Sequence, residues 1–203
     1  MREPKRCGWA KDPLSIDYHD HEWGVPLHDD NRLFEMIVLE SMQSGLSWIT
    51  ILRKRLAFRS AFLGFDPEQV AKFGAEDIDK LLANPNIIRN RAKVEATIAN
   101  ARATLKVQES FGSLDSFLWR VVEGKPVINH WSDSRQIPAA TPVSERLAKE
   151  CKSQGFKFVG STVAYAFMQA IGMVNDHEMS CDRYKQLAGG MRFRASAVKR
   201  PDD

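Results

Sequence analysis

Apolar residues recur along this chain at the three- and four-residue spacings of a helix, and no convincing run rich in Val, Ile and Thr alternates apolar and polar residues with a period of two. Leu33, Phe34 and Ile37 share one face of a predicted helix over 30–43. The same spacing predicts further helices over 46–62, 67–72, 75–83, 90–109, 114–122, 142–153 and 161–173. The sequence therefore predicts an all-α fold.

Local signals support several of these helices. Asp66-Pro67 and Thr141-Pro142 each combine an N-cap residue with a proline at the first helical position. Segment 161–173 is almost entirely apolar, which predicts a buried central helix. The pattern thus gives both the starts of two helices and a candidate for the centre of the core.

Composition narrows the class of protein. The chain has 203 residues, of which 43% are hydrophobic and 27% are charged, and this balance is ordinary for a folded domain. We expect one domain over residues 1–187 and a disordered basic tail over 188–203. The sequence holds no run of about eighteen apolar residues, so no membrane span is expected. The N-terminus lacks the apolar run of a secretory signal, which makes the expected location cytoplasmic.

Charge leaves the choice of partner open. The net charge of +3 is compatible with a nucleic-acid partner but is shared by many proteins that bind none. Three cysteines and no secretory signal argue against a disulfide framework. Cys151 follows Val143 and Leu147 at four-residue spacing, which favours a buried core position.

Two pairs of metal-type residues lie at opposite ends of the chain. Cys7 and His19 are near the N-terminus, and His177 and Cys181 are near the C-terminus. Two cysteines and two histidines form a common ligand set for tetrahedral zinc, provided that the fold brings the ends together. Four protein ligands leave no open position for substrate, so such a zinc is structural and the chemistry must lie elsewhere.

A first candidate for chemistry is the polar and aromatic segment 18–26, which contains Tyr18 and Trp23. It is equally compatible with a functional loop and with a metal-binding loop whose aromatic rings only pack. A second candidate begins at Glu40, a carboxylate within an apolar helical stretch. An isolated glutamate there usually faces solvent, since burial without a partner is costly.

Gly45 and Trp48 follow Glu40 closely. The glycine ends the helix and allows another backbone to approach closely, and the tryptophan offers a flat face for stacking. Further along, Arg89, Arg91 and Lys93 surround the start of a helix. Backbone amides and cations at a helix start suit a phosphate, although a solvated cationic helix start is somewhat more common.

The segment 155–160 contains two phenylalanines. The sequence favours core positions for both Phe156 and Phe158 over a role in stacking on a base.

Several runs of residues together resemble the DNA-3-methyladenine glycosylase I family in order and spacing over residues 7 to about 181. These runs are Cys7-Gly8-Trp9, Tyr18 to Pro26, Leu33 to Ile37, Gly45 to Thr50, Gly155 to Gly160 and Asn175-Asp176-His177. The resemblance implies a helix-hairpin-helix fold and an enzyme that hydrolyses the N-glycosidic bond of 3-methyladenine in alkylated DNA. It implies double-stranded DNA as the partner, with no obligate protein partner and no need for an oligomer.

The resemblance also implies roles for particular residues. It makes Glu40 the catalytic residue and places Tyr18, Trp48, Trp23 and Trp9 around the extruded base. It implies one structural zinc on Cys7, His19, His177 and Cys181. It places Gly45 and Leu46 at the gap in the base stack, and it makes 84–93 the hairpin that contacts the DNA backbone through Arg89, Arg91 and Lys93.

Three positions depart from the family pattern. Ser15 stands where relatives often carry a second pocket tyrosine, and Ser41-Met42 replaces a common Gly-Gln pair after the pocket glutamate. We expect these departures to affect the shape of the pocket and the rate, while Glu40, Tyr18 and Trp48 are retained. Two rival functions remain: a zinc-stabilised DNA-binding module without catalysis, and an unrelated zinc hydrolase, which would need an open metal position.

Overall fold

The computed structural model of the protein describes residues 3–189, so residues 190–203, most of the predicted tail, lie outside the described residues. Helices dominate the described chain, which confirms a mostly helical fold. The α-helices are α1 Pro13–His21, α2 Asp30–Gln43, α3 Trp48–Ala61, α4 Pro67–Val70, α5 Ala75–Ala83, α6 Arg91–Phe111, α7 Leu114–Trp119, α8 Pro142–Gln154, α9 Ser161–Ala170 and α10 Asp182–Ala188. Three short 3₁₀ helices cover Leu63–Phe65, Arg120–Val122 and Ser134–Gln136.

The predicted helix starts are confirmed where caps were recognised. Asp66 accepts hydrogen bonds from two amides at the start of α4, and Thr141 accepts one from Ser144 at the start of α8. Helix α1 was not predicted. It begins with the same signal, Asp12 followed by Pro13, but it has few apolar positions to reveal a period.

The centre of the core is α2. All residues from Leu33 to Met42 are buried, and α2 contacts α3, α6, α7 and α9. Helix α9 is also largely buried, but it ends at Ala170, before the predicted boundary. Because α2 is surrounded on every side, the two glutamates within it are buried as well.

Two strands of two residues each form a parallel pair, Val127–Ile128 (β1) with Val174–Asn175 (β2). They are too short to show an alternating pattern, so sequence periodicity could not reveal them. The pairing holds the segment after α7 beside the segment that carries Asp176 and His177. Asp176 then accepts hydrogen bonds from the side chains of Asn129 and Trp131.

The two ends of the described chain meet. The amide of Asp182 donates to the carbonyl oxygen of Lys5 at 2.9 Å, and the amide of Lys5 donates to the Asp182 carboxylate at 3.0 Å. Gly172 follows α9 with φ of +74°, and a Cβ there would lie 2.5 Å from the backbone of Val25 and Pro26. The absence of a side chain at Gly172 therefore allows segment 24–26 to lie against the end of α9.

The two phenylalanines of segment 155–160 have different positions. Phe156 is buried, as predicted. The prediction for Phe158 was wrong, because its side chain is 43% exposed. Its backbone has φ of +57°, and its carbonyl oxygen accepts a hydrogen bond from Ser41, which turns the side chain outward. Within residues 3–189, no helix has the length and apolarity that crossing a bilayer requires.

Candidate active site and metal centre

A cavity of about 420 Å³ lies where α1, α2, α3 and α9 meet the Ser134–Gln136 turn. Its wall consists of four aromatic rings, several polar side chains and two apolar ones: Trp9, Tyr18, Trp23, Trp48, Glu40, Gln43, Ser134, Gln169, Ile137 and Ala166. A small, aromatic-lined concavity with few polar groups is the usual form of a site for a planar organic ligand. The structure thus brings together the five residues that were predicted to line the pocket.

Glu40 is the acidic group of this cavity. Its side chain is buried, and it has no ion pair or hydrogen bond to any of residues 3–189. Burial alone raises the pKa of Glu40 to about 8. The expectation that an isolated glutamate faces solvent does not hold here, because α2 is enclosed by other helices. A buried carboxyl group with no partner is costly and typical of a functional site.

Tyr18 and Trp48 flank the same space, with ring centroids 5.3 Å apart and planes inclined by 51°. The Tyr18 hydroxyl and the Trp48 indole Nε1 are both buried and have no hydrogen-bond partner within the described chain. Burial, followed by the charge of Glu40, raises the pKa of Tyr18, so its hydroxyl remains a donor. Buried polar groups without partners cost about 1–3 kcal/mol each, and a ligand in the cavity could satisfy them.

The four predicted metal ligands form one buried cluster next to the cavity. The ligand atoms of Cys7, His19, His177 and Cys181 all lie within 4.8 Å of one another. The distances between sulfur and nitrogen are 3.5 Å for Cys7 and His177, 3.5 Å for Cys181 and His19, and 3.6 Å for Cys181 and His177. Ligands of a tetrahedral zinc at normal bond lengths are about 3.6 Å apart. The cluster could therefore bind a metal ion.

The second nitrogen of each imidazole has its own partner. His19 Nδ1 is 2.8 Å from the Asp20 carboxylate, which also pairs with Arg6. His177 Nε2 is 3.1 Å from the carbonyl oxygen of Trp23. Both partners are acceptors, so these nitrogens carry the hydrogens, and the lone pairs of the other two nitrogens face the cluster. Such outer partners are typical of metal-binding histidines.

The cluster and the cavity share a wall. Tyr18 and His19 are neighbours in α1, and the first faces the cavity while the second faces the cluster. Trp23 lies against the His177 ring at 4.6 Å and against Trp9 at 5.0 Å. Loosening the cluster would therefore disturb the aromatic side of the cavity.

The predicted DNA contacts have different surroundings. Gly45 adopts φ of +80° in the turn between α2 and α3, and Leu46 next to it is 40% exposed. Arg89 is exposed and forms no ion pair with any of residues 3–189. Arg91 is also exposed but pairs with Asp79 at 2.9 Å and Glu95 at 3.7 Å.

Lys93 differs from both arginines, because its ammonium group is turned into the protein. It donates to the carbonyl oxygens of Met42 and Ser44. The predicted phosphate contact of Lys93 stays untested, and these bonds indicate another role for the side chain.

Sequence reasoning missed five of the ten cavity residues: Gln43, Ser134, Ile137, Ala166 and Gln169. Gln169 was detectable as a lone amide within the apolar segment 161–173, and its Nε2 donates to the buried Asp176 at 2.8 Å. The departures from the family pattern lie outside the cavity wall. Ser15 donates to Asp12 at 2.6 Å. Ser41 and Met42 are buried on other faces of α2.

Comparison with known proteins assigns the family. Residues 9–184 match the sequence family described as methyladenine glycosylase. The chain belongs to the methyladenine glycosylase family. DNA-3-methyladenine glycosylase 1 of Escherichia coli (strain K12) is 48% identical over 181 residues, which are 89% of this chain and 97% of that protein. The corresponding glycosylase of Haemophilus influenzae is 47% identical over 177 residues, or 87% of this chain and 96% of that protein.

Solved structures of methyladenine glycosylases have the same fold. A crystal structure of 3-methyladenine DNA glycosylase I matches with a TM-score of 0.86 and 50% identity, covering 88% of this chain and 98% of that one. A variant of 3-methyladenine DNA glycosylase I in complex with 3-methyladenine matches with a TM-score of 0.85 and 39% identity, covering 87% and 96%.

Proposed function

We propose that this methyladenine glycosylase excises 3-methyladenine from alkylated double-stranded DNA by hydrolysing the N-glycosidic bond. The observation that carries the proposal is Glu40, a buried carboxyl group without a partner in an aromatic cavity large enough for one base. A damaged base in a duplex must first leave the stack to reach such a cavity, and unstacking is easier for a weakly paired base. Hydrolysis then leaves the free base and an abasic site.

Glu40 selects the base by charge. In DNA, 3-methyladenine is cationic, whereas adenine is neutral. Burial raises the pKa of Glu40 to about 8, so at neutral pH the group is mostly protonated. A cation beside it favours the carboxylate and releases the proton, because opposite charges stabilise each other in a buried site. Neutral adenine offers no such gain, and it leaves the carboxyl group uncharged.

The aromatic residues hold the extruded base. Trp48 stacks on the cationic ring, a contact worth about 0.5–2 kcal/mol. Tyr18 donates its unpaired hydroxyl to the edge of the base, while Trp23 and Trp9 complete the wall.

The chemical step makes modest demands on the protein. When the bond between sugar and base breaks, the bonding electrons neutralise the base. Water then adds to the sugar carbon and releases one proton to solvent. No lysine amine lines the cavity within the described chain, and we assign hydrolysis without strand cleavage.

The surface beside the cavity contacts the DNA. Leu46 and Gly45 occupy the gap that the extruded base leaves, since this turn is exposed and adjoins Gln43 in the cavity wall. Helices α5 and α6 with the turn between them form the helix-hairpin-helix element. Arg89 and Arg91 at this hairpin bind phosphates of the backbone through charge-assisted contacts.

The buried Cys/His cluster binds one structural zinc ion. Cys7, His19, His177 and Cys181 would fill all four tetrahedral positions, so the ion would leave none for a substrate. Replacing Cys181 by Ser, or removing metal with a chelator, should lower the melting temperature. Replacing Cys151, a buried cysteine outside the cluster, by Ser is the matched control. An unchanged melting curve after complete metal removal would count against this role.

Release of free 3-methyladenine from methylated duplex DNA tests the proposed function. Wild-type protein and a Glu109→Gln control, which changes an exposed carboxylate on α6, should both release the base. The Glu40→Gln variant should release far less. DNA binding without any release would favour a DNA-binding module instead, and release that depends on an exchangeable metal water would favour a zinc hydrolase.

A further inference from the structure

Lys93 is the one predicted DNA contact whose charged group points inward. It lies in the first turn of α6, yet it is only 8% exposed. Its Nζ donates to the carbonyl oxygens of Met42 at 2.8 Å and Ser44 at 2.6 Å. It forms no ion pair with a carboxylate among residues 3–189, so a buried cation is held by carbonyl oxygens alone. A lysine has three donors and strong hydration to lose, so this arrangement needs a compensating role.

The two carbonyl groups belong to the end of the pocket helix. Helix α2 ends at Gln43, and Ser44 is its C-cap. The last carbonyl groups of a helix lack partners within it and carry partial negative charge, which a lysine ammonium group satisfies well. Lys93 thus binds the C-terminal carbonyl groups of the helix that carries Glu40, about one turn beyond that residue.

The turn that Lys93 holds lies between the cavity proposed to bind the base and the surface proposed to contact the DNA. Gly45 takes its left-handed conformation here, and the amide of Leu46 donates to the carbonyl oxygen of Gln43 at 2.6 Å. Gln43 lines the cavity on one side of the turn, and Trp48 does so on the other. A shift of this turn would move Leu46 relative to the DNA and Trp48 relative to the base.

A second lysine, on α3, also donates hydrogen bonds to the hairpin. Lys54 of α3 donates to the carbonyl oxygens of Pro85 at 3.2 Å and Asn86 at 3.1 Å, in the turn before α6. Asn90, the N-cap of α6, accepts from the backbone amide of Lys93 at 3.1 Å. The hairpin is therefore linked to the end of α2 by Lys93 and to α3 by Lys54.

We propose that Lys93 is a positioning residue that fixes the 43–46 turn to the hairpin, so that DNA bound by the hairpin meets Leu46 and Trp48 already in place. This inference rests on the proposed glycosylase function. It assigns the positive charge of Lys93 to the carbonyl groups of the turn rather than to a DNA phosphate.

The test separates positioning from phosphate binding through the salt dependence of DNA affinity. A lysine or arginine that neutralises one phosphate contributes about one to the slope of log affinity against log salt. We expect Lys93→Met to keep the wild-type slope on a duplex with a tetrahydrofuran abasic site. Arg89→Met, which removes an exposed cation of the same hairpin, should lower the slope by about one. Lys106→Met, an exposed lysine farther along α6, should change neither slope nor rate.

The excision rate supplies the second readout. With protein in excess over methylated DNA, Lys93→Met should lower the single-turnover rate by roughly 10- to 100-fold, because small displacements of reacting groups are costly. Lys93→Arg, which retains a charged donor, should recover part of the rate. Amide hydrogen exchange of residues 43–47 should be faster in Lys93→Met than in the wild type without DNA.

Two results would overturn the inference: a slope lowered by about one with wild-type hydrogen exchange in the turn, or no change in slope, rate and exchange. If Lys93→Met does not fold, acylation of lysines in the wild type decides the matter. A Lys93 amine that reacts slowly both with and without DNA supports the inference, and one that reacts fast until DNA protects it contradicts it. If the wild type releases no base, the proposed function fails, while exchange and acylation still show whether Lys93 holds the turn.

Discussion

Helix α2 buries two glutamates in very different surroundings. Glu35 pairs with Arg55 at 2.6 Å and with Arg59 at 2.9 Å, whereas Glu40, just over one turn later, has no cationic partner among residues 3–189. Arg55 also forms an ion pair with Glu22, the C-cap of α1, at 2.8 Å. The same residue type on the same helix therefore has two settings: the neutralised carboxylate of Glu35 joins three helices, and the carboxyl group of Glu40 lines the cavity that we propose binds a cationic base.

The difference shows where the protein tolerates an energetic cost. A buried ion pair gains back much of the cost of removing its charges from water. The unpaired Glu40 avoids part of that cost only by keeping its proton, which is why its pKa is raised to about 8. The ion pairs at the Glu35 end of α2 thus contribute to stability, and we propose that the Glu40 end serves function.

Removing Arg55 should have the largest effect on the free energy of unfolding, because it breaks the ion pairs of Arg55 with Glu22 and Glu35. Arg55→Met leaves Glu22 without its closest cation and Glu35 with only Arg59, and losing one partner of a buried pair costs about 3–5 kcal/mol. Denaturant unfolding measures the loss. A decrease below about 1 kcal/mol would mean that the network adds little to stability.

Glu40→Gln should lower activity without lowering stability. Excision of 3-methyladenine should fall on the order of 100-fold, as expected when one preorganised electrostatic group is removed from an active site. The melting temperature should stay the same or rise, because an amide costs less to bury than an ionisable group. Normal excision by this variant, or a clearly lower melting temperature, would contradict the division of roles along α2.

The pH dependence of stability should reveal the raised pKa of Glu40. Folded Glu40 keeps its proton up to about pH 8, whereas the unfolded chain releases it near 4.5. Unfolding between these values releases a proton, so Glu40 lowers the free energy of unfolding by about 1.4 kcal/mol for each unit of rising pH. The difference in stability between Glu40→Gln and the wild type should therefore grow from about pH 5 to about pH 7.5. A constant difference across this range would show that the pKa is not raised.

Arg59→Met should have the smallest effect on the free energy of unfolding. Its side chain is 42% exposed, so its pair with Glu35 is screened by solvent. Exposed ion pairs contribute about 0–1 kcal/mol. A loss as large as that of Arg55→Met, measured in the same unfolding experiment, would mean that both arginines are needed to neutralise Glu35.

Much of the helical framework could be predicted from sequence because its signals are local. The apolar period located α2 and α6, and the N-caps Asp66 and Thr141 marked helix starts that the structure confirms. Helix α1 was missed although Asp12-Pro13 carried the same signal, because its buried positions are Tyr18, His19 and a serine rather than an apolar face.

The candidate site was harder to predict, since its members come from distant parts of the chain. Ligand chemistry paired the two cysteines with the two histidines only on the condition that the ends meet. The burial of Glu40 depends on the helices around α2, which no local pattern reveals. The inward direction of Lys93 depends on the end of α2, which lies 49 to 51 positions away in the sequence.

The sequence by itself determined the mostly helical framework, the four metal-type ligands and the family, because residue type, spacing and identity to relatives are properties of the chain. Only the tertiary structure decided which carboxylate is neutralised, which is buried without a partner in the cavity wall, and which cation of the hairpin points into the protein. The physical reason is that charge and solvation in a folded protein depend on neighbours brought together from distant segments, and these neighbours set whether a side chain stabilises the fold or performs the chemistry.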